Sequence, residues 1–163
     1  MITLDFTDHA LVAALQHNAQ LRLEDLAKLV HMVPSSVHDR LRRLAREGVI
    51  RGWTIDIDAS AFGLDVLAYI GVRSSKPCSK LLPLMEPIAE IEEFHSVAGP
   101  LGMMLKVRVA NTSALLELVE RLRQIPGVEG TETSIVLKTH IERPTALPEV
   151  AAPLRARVAL EKR

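Results

Sequence analysis

Residues 34–48 read PSSVHDRLRRLAREG, and this stretch decides the fold of the N-terminal part of the chain. Pro34 suits the first position of a helix, where its missing N–H costs nothing, and Gly48 suits the residue just past a helix end. Three apolar residues recur at helical spacing and predict one buried stripe: Val37, Leu41 and Leu44. The pattern therefore predicts a helix from Pro34 to about Glu47.

The opposite face of this helix is polar and basic. With the stripe inward, Ser35, Ser36, Asp39, Arg42, Arg43 and Arg46 point outward, flanked by His38 and Arg40. Residues 35–51 hold five arginines and only two acids. Short polar groups allow close approach to base edges in a major groove, and guanidinium groups bind phosphates or guanine. A solvated basic surface is the alternative, and we favour a DNA-reading helix with eight contact residues: Ser35, Ser36, His38, Asp39, Arg42, Arg43, Arg46 and Arg51.

Asp39 is the one acid on that face. It is expected either to accept a hydrogen bond from a cytosine amino group or to pair with Arg42 or Arg43, one turn further along the helix.

Two shorter amphipathic helices are predicted before this one. The first is expected to begin at Thr7 as its cap, and the second covers the apolar residues from Leu23 to Val30. After the third helix, residues 49–58 alternate between apolar and polar character, which predicts a small hairpin. We therefore assign residues 1–52 to a winged helix-turn-helix and residues 53–65 to a hairpin strand and linker.

The second half of the chain alternates strands and helices. Strands are predicted at 66–73, 94–98, 103–109 and 133–140, and helices at 78–89 and 111–125. The order βαββαβ predicts an α+β, ferredoxin-like sandwich over residues 66–140, with both helices on one face of an antiparallel sheet. The other face is expected to be apolar and to need a partner subunit. Residues 141–163 form a C-terminal tail.

Composition excludes several classes of function. Twenty basic and twenty acidic residues cancel, so any basic surface must be local. The single cysteine, Cys78, cannot form an internal disulfide and fits a reducing cytoplasm. No signal peptide or membrane span is expected, and the histidines lack metal-ligand spacing. Ser35, Ser36, His38 and Asp39 splay around one helix and cannot form a hydrolase triad. We expect no catalytic residue, no metal and no cofactor.

From about Leu4 to Thr139 the chain resembles the Lrp/AsnC family of feast/famine transcription regulators. Several segments carry the resemblance: Leu4-Asp5 with Asp8, Leu26-Ala27-Lys28, Pro34-Ser35-Ser36-Val37, Glu47-Gly48-Val49-Ile50-Arg51-Gly52-Trp53-Thr54, Gly63-Leu64, Pro126-Gly127-Val128 and Ser134-Ile135-Val136-Leu137-Lys138. The resemblance implies double-stranded DNA as a partner, and dimers that join into tetramers, octamers or larger discs. It also implies an amino-acid effector, bound between dimers near residues 99–102.

Three departures from the family pattern have consequences. Where the family has Gly-Leu-Ser before the proline, this chain has His31-Met32-Val33, so His31 is expected in a mildly strained left-handed turn and Val33 cannot cap the helix. The effector loop, typically Gly-x-Tyr-Asp-Tyr, here consists of Gly99, Pro100, Leu101, Gly102 and Met103. Because the acid that would hold an ammonium group is missing, we expect weak or absent amino-acid binding, unless an acid such as Glu132 substitutes.

Two other functions stay open on the sequence alone. Siroheme decarboxylases share this architecture, but they carry a His and a Tyr-Arg motif where this chain reads Phe94-His95-Ser96-Val97-Ala98, and only His95 is similar. The other alternative is an effector-independent assembly partner of a related regulator.

Overall fold

The computed structural model describes residues 3–148 and divides the chain into two compact units. The break falls after Ile55; the second unit covers Asp56–Ile141, and the described residues beyond it belong to the first unit. Most of the predicted tail, from residue 149 onward, lies outside the described residues. No helix within residues 3–148 is long and apolar enough to cross a membrane.

The first unit is a bundle of three helices. They are α1 (Phe6–His17), α2 (Leu23–Val30) and α3 (Pro34–Arg46). One residue from the middle of each helix is fully or almost fully buried where the three meet: Leu11, Leu26 and Val37. The predicted stripe of α3 is confirmed, with Val37 and Leu44 buried and Leu41 half-buried. This core presents the opposite face of α3 to solvent.

The cap of α1 differs from the prediction. Thr7 lies inside the first turn, and Asp5 is the N-cap. The Asp5 carboxylate accepts from the backbone N–H of Asp8 at 2.8 Å, and the Asp8 carboxylate accepts from the backbone N–H of Asp5 at 3.1 Å. This reciprocal capping box satisfies two donors at once, which a threonine at position 7 cannot do.

The hairpin predicted over residues 49–58 is not formed. Residues 51–58 carry no regular secondary structure, and a short 3-10 helix, Ala59–Phe62, follows them. The apolar side chains Trp53, Ile55 and Ile57 are all more than half exposed. A two-stranded hairpin is marginal in water unless one face packs against something, and within the described chain nothing covers these residues. The described residues of the first unit therefore form a helix-turn-helix without a strand wing.

The second unit confirms the predicted α+β sandwich. Its elements are β1 (Val66–Ser74), α4 (Cys78–Met85), β2 (Ile91–Ser96), β3 (Met103–Val109), α5 (Thr112–Arg123) and β4 (Val128–Ile135). The sheet is antiparallel throughout, in the order β2-β3-β1-β4. Alternate residues of the central strands pack under the helices, and Ile70, Leu105 and Leu118 are completely buried there.

Three elements of this unit have boundaries that differ from the prediction by three residues or more. Helix α4 ends at Met85 rather than residue 89, because Pro87 removes a backbone donor. Strand β2 begins at Ile91, three residues before the predicted start. Strand β4 runs over Val128–Ile135 instead of 133–140, because it pairs with β1 and Ile135 already lies opposite Ala68. The residues after Ile135 therefore lie beyond most of β1, which begins at Val66, and do not continue the strand.

The sheet face away from the helices is mixed rather than apolar. Three apolar side chains lie on it: Leu67, Tyr69 and Met104. Beside them on β3 are Lys106 and Arg108, which pair at 2.6–3.5 Å with the β2 carboxylates Glu92 and Glu93. Lys106 and Arg108 each pair with a carboxylate of β2, so a row of ion pairs, the ion-pair ribbon, crosses the surface that was expected to be apolar.

Candidate nucleic-acid interface and effector loop

A straight polar stripe runs along the exposed side of α3. Its members are spaced by four, three and four residues: Ser35, Asp39, Arg42 and Arg46. This spacing places them above one another on one helix face, and all four are exposed. His38 is exposed beside the stripe, whereas Ser36 is half-buried. The outward face is thus narrower than the sequence predicted.

The turn before α3 sets the direction in which the stripe points. His31 adopts the left-handed conformation, with φ 53° and ψ 45°, as its place in the connector predicted. The backbone N–H groups of His31 and Met32 bond back to carbonyls of the last turn of α2. Val33 precedes α3 without a side-chain cap, and within the described chain neither Ser35 nor Ser36 supplies one.

Arg43 departs from the predicted interface. Its Nη2 lies 2.6 Å from Oδ2 of Asp8, and the side chain is only 34% exposed. Arg40 is held in the same way, with Nη1 at 2.9 Å from Oδ1 of Asp8 and 2.6 Å from Oδ2 of Asp5. We refer to these four residues as the acid clamp: Asp5, Asp8, Arg40 and Arg43. Arg43, predicted as a DNA contact, is thus paired with Asp8 and joins α3 to α1.

Asp8 is the buried centre of the clamp, with 1% of its side chain exposed. Burial raises the pKa of Asp8, but hydrogen bonds from Arg43, from the Asp5 backbone and from Arg40 outweigh it and lower the pKa overall. The carboxylate is accordingly charged at neutral pH. Both of its oxygens accept from a guanidinium of α3, and Oδ2 also accepts from the backbone N–H of Asp5.

The remaining predicted contacts are free of strong internal partners. Asp39 lies 3.6 Å from Nδ1 of the neighbouring His38, so the expected pairing with Arg42 or Arg43 is wrong. Arg46 has only a long, exposed contact of 3.8 Å to Glu47. Arg42 forms no ion pair within residues 3–148, and Arg51 is exposed in the irregular segment after α3. These three arginines are available to a ligand, unlike Arg40 and Arg43.

The effector loop connects β2 to β3 and folds onto the open sheet face. The Val97 N–H donates to the Gly102 carbonyl at 2.9 Å, and Gly99 and Gly102 both have positive φ. Leu101 lies on Gly71 of β1, where a Cβ would collide with the Leu101 side chain. Met103, predicted to contact an effector, is instead buried in the core under the helices, because β3 begins there.

The sheet register places an acid beside this loop. Glu132 of β4 lies directly opposite Gly71, the residue under Leu101. Glu132 is exposed and forms no ion pair with the described residues. The sheet register therefore brings the Glu132 carboxylate toward the loop residues. This supports the alternative that Glu132 substitutes for the acid missing from the effector loop. Its position depends on pairing across the sheet, and no local pattern marks it.

His95 pairs with a carboxylate of its own strand. Its Nε2 lies 2.8 Å from Oε2 of Glu93 on the same strand, and both side chains are about half exposed. Hydrogen bonding to His95 and Lys106 outweighs partial burial and lowers the pKa of Glu93. The pair belongs to the ion-pair ribbon of the open face.

The fold and the polar stripe of α3 define a class of protein: a two-part DNA-binding regulator, with a helix-turn-helix joined to an antiparallel α+β domain. Comparisons with known sequences agree. The model of the AsnC-type helix-turn-helix domain matches residues 4–45, and that of the Lrp/AsnC ligand binding domain matches residues 67–146. The chain therefore belongs to the Lrp/AsnC family.

Individual relatives cover almost the whole chain. The HTH-type transcriptional regulator FL11 of Pyrococcus horikoshii is 35% identical over 148 residues, which are 90% of this chain and 97% of that protein. The regulatory protein AsnC of Escherichia coli K12 is 30% identical over 86% of this chain and 94% of its own length. A solved structure of the feast or famine regulatory protein of M. tuberculosis, complexed with L-methionine, superposes with a TM-score of 0.84. The two sequences are 32% identical, and the superposition covers 90% of this chain and 100% of the M. tuberculosis chain.

Proposed function

We propose that this member of the family regulates transcription by inserting α3 into the major groove of DNA. The observation that carries the proposal is the exposed stripe of α3, with Ser35 and Asp39 at its N-terminal end and Arg42 and Arg46 beyond. Short polar groups near the start of a recognition helix can meet base edges, while the arginines further along bind phosphates. His38 beside the stripe and Arg51 after the helix complete the candidate contacts.

The roles within the stripe differ by position. Ser35 and Asp39 are candidates for reading sequence, because a serine hydroxyl bonds to several bases and a carboxylate accepts from the cytosine amino group. Arg42 and Arg46 are candidates for phosphate contacts, which hold the helix in register and make binding dependent on salt. Asp39 repels phosphate, so its place on the exposed face favours a contact to a base.

A second copy of the chain is part of the proposal. The open sheet face keeps Tyr69 41% exposed, and Leu137 and Ile141 beyond β4 are 96% and 74% exposed. These exposed apolar side chains favour an interface with a second copy on or beside this face. A dimer would present two α3 helices to half-sites about one helical turn apart, roughly 34 Å, or a multiple of that distance. Larger assemblies of dimers, up to an octamer or a disc, extend the same arrangement.

The second unit is the candidate sensor. The solved relative from M. tuberculosis contains L-methionine, so an amino acid is the ligand class to test here. The residues of this chain nearest to such a role are Gly99, Pro100, Leu101 and Gly102, with Glu132 beside them. The enzyme alternative is less well supported, because His95 is taken up by an exposed pair with Glu93.

Selection from a pool of random DNA duplexes tests the proposal. Wild-type protein should enrich a motif with two similar half-sites. Asp39→Asn and Ser35→Ala proteins should enrich a motif changed at particular base pairs, because these residues read bases. Lys80→Ala, an exposed change in the second unit, should leave the motif as it is. Failure of the folded wild-type protein to enrich any sequence would contradict the proposal.

A further inference from the structure

The arginines of α3 fall into two groups that the sequence does not separate. Arg42 and Arg46 lie on the exposed stripe, whereas Arg40 and Arg43 point back toward α1. Arg40 and Arg43 end on the two oxygens of one carboxylate, that of Asp8, at 2.9 and 2.6 Å. Two of the four arginines in this helix are therefore already neutralised by acids of the same chain.

The clamp connects the helix that meets DNA to the helix that anchors the unit. Asp8 belongs to the first turn of α1 and is also part of its capping box. Its buried carboxylate cannot turn away from the two guanidinium groups without losing that cap as well. Asp5 holds Arg40 independently, with a contact of 2.6 Å. The clamp thus restricts rotation of α3 about its own axis. This rotation determines which residues of α3 face outward and form the stripe.

Holding two cations back also lowers the affinity of the protein for DNA of any sequence. Each arginine that contacts a phosphate adds affinity for every DNA sequence alike, and steepens the dependence of binding on salt. Contacts of this kind raise non-specific binding as much as specific binding, so they add nothing to discrimination. An acid that withholds such an arginine therefore lowers binding to all sequences alike, and discrimination depends on how the stripe is oriented toward the bases.

We propose that Asp8 is a positioning residue for DNA recognition, which keeps Arg43 and Arg40 off the phosphates and holds α3 in its reading orientation. The inference rests on the proposed function and extends it to residues outside the interface. It assigns Asp8, on another helix, a share in sequence discrimination.

The test compares neighbouring arginines and matched acids. Arg42→Gln and Arg43→Gln remove the same charge from adjacent positions of α3, and the glutamine at position 43 can still donate to Asp8. Asp8→Asn removes one negative charge from the buried centre of the clamp. Asp25→Asn removes the same charge from an exposed residue of α2, which pairs with Lys28 at 3.5 Å. For each folded variant, binding to a mixed-sequence duplex and to the duplex enriched by the wild type is measured over a range of salt concentrations.

The inference predicts a split between the variants. Arg42→Gln should reduce the slope of log affinity against log salt by about 0.9, whereas Arg43→Gln should leave the slope unchanged. Asp8→Asn frees Arg43, so the slope on mixed-sequence DNA should steepen by about 0.9. Because Asp8 no longer holds α3 in its reading orientation, the preference of this variant for the enriched duplex should fall at least tenfold. Asp25→Asn should keep both the slope and the preference of the wild type.

Two results would overturn the inference. One is a loss of slope in Arg43→Gln equal to that in Arg42→Gln, which would place Arg43 on a phosphate. The other is a folded Asp8→Asn protein that behaves like Asp25→Asn. If Asp8→Asn does not fold, the comparison of the two glutamine variants still decides. Failure of the wild type to bind any duplex would instead reject the proposed function.

Discussion

Leu101 lies directly over Gly71, so that the loop between β2 and β3 is seated on the open face of the sheet. A Cβ at Gly71 would meet three carbon atoms of the Leu101 side chain: Cγ at 3.2 Å, Cδ2 at 3.4 Å and Cδ1 closer still. A side chain at position 71 therefore needs the Leu101 side chain to shift, whereas the backbone conformation of this strand position is an ordinary one.

Gly71→Ala should displace the loop and destabilise the second unit. Overpacking of this kind costs about 1–3 kcal/mol, which urea unfolding followed by circular dichroism can measure. Gly52→Ala is the matched control, because a Cβ there meets nothing within 4 Å. The double variant Gly71→Ala with Leu101→Ala should recover part of the loss. Equal stability of Gly71→Ala and Gly52→Ala would show that the loop is not seated on the sheet.

Amino-acid binding at this loop should be weak or absent. Leu101 fills the space over Gly71, and the loop itself contains no carboxylate for an ammonium group, whose burial without a partner is costly. Thermal unfolding with millimolar L-methionine, and with the other amino acids in turn, should show no stabilisation. A ligand at a hundred times its dissociation constant would add about 2.7 kcal/mol, so binding would be visible.

A stabilising shift with any amino acid would show that this prediction is wrong. In that case Glu132 is the first residue to test, because the register brings it next to Gly71. Loss of the shift in Glu132→Gln would identify it as the substitute acid.

The first unit should lose stability in acid through Asp8. Hydrogen bonds from Arg43, the Asp5 backbone and Arg40 together outweigh burial and lower the folded pKa of Asp8. The stabilisation is therefore fully present above the unfolded pKa, near 3.9, and is lost as pH falls through the lower folded value. Asp8→Asn should remove this part of the pH dependence and cost about 3 kcal/mol at neutral pH, as expected when a buried ion pair is broken. Urea unfolding of both proteins between neutral pH and pH 2 measures the difference, and parallel curves would contradict the account.

Association of subunits should depend on the open sheet face. Light scattering at micromolar concentration should give at least a dimer for the wild-type chain. Tyr69→Lys, near the middle of that face, should weaken association at least tenfold, because a buried lysine loses its hydration. Leu116→Lys, on the exposed side of α5, should have no such effect. A monomeric wild-type chain, or equal effects of Tyr69→Lys and Leu116→Lys on association, would contradict an interface on this face.

The parts of the fold with strong local patterns were predictable from the sequence. Strand β3 occupies Met103–Val109 as predicted, because its residues alternate strictly between core and surface. Helix α3 is marked by Pro34 at its start, a regular apolar stripe and Gly48 beyond its end. The left-handed turn at His31 was predicted from the resemblance to the family, which usually has glycine at that place.

What the sequence missed depends on partners far away along the chain. The end of β4 is set by the length of its partner β1, so the apolar run after Ile135 was misassigned to a strand. The clamp joins Asp8 to Arg43 across 35 residues. The helical periodicity of α3 alone could not show whether a side chain on its outer face is exposed to solvent or turned toward α1. The spacing of Asp5 and Asp8 does match a capping box, and that signal could have corrected the start of α1.

Binding of duplex DNA by a protein with Arg42 and Arg46 both replaced by alanine tests the central claim most directly. Lys80→Ala, an exposed change in the second unit, is the control, and circular dichroism verifies folding of all three proteins. If the stripe of α3 meets DNA, the double variant loses affinity and its salt slope falls by about 1.8, or about 0.9 for each phosphate contact, while Lys80→Ala matches the wild type. A folded double variant with the affinity and salt slope of the wild type would show that this face of α3 does not bind DNA.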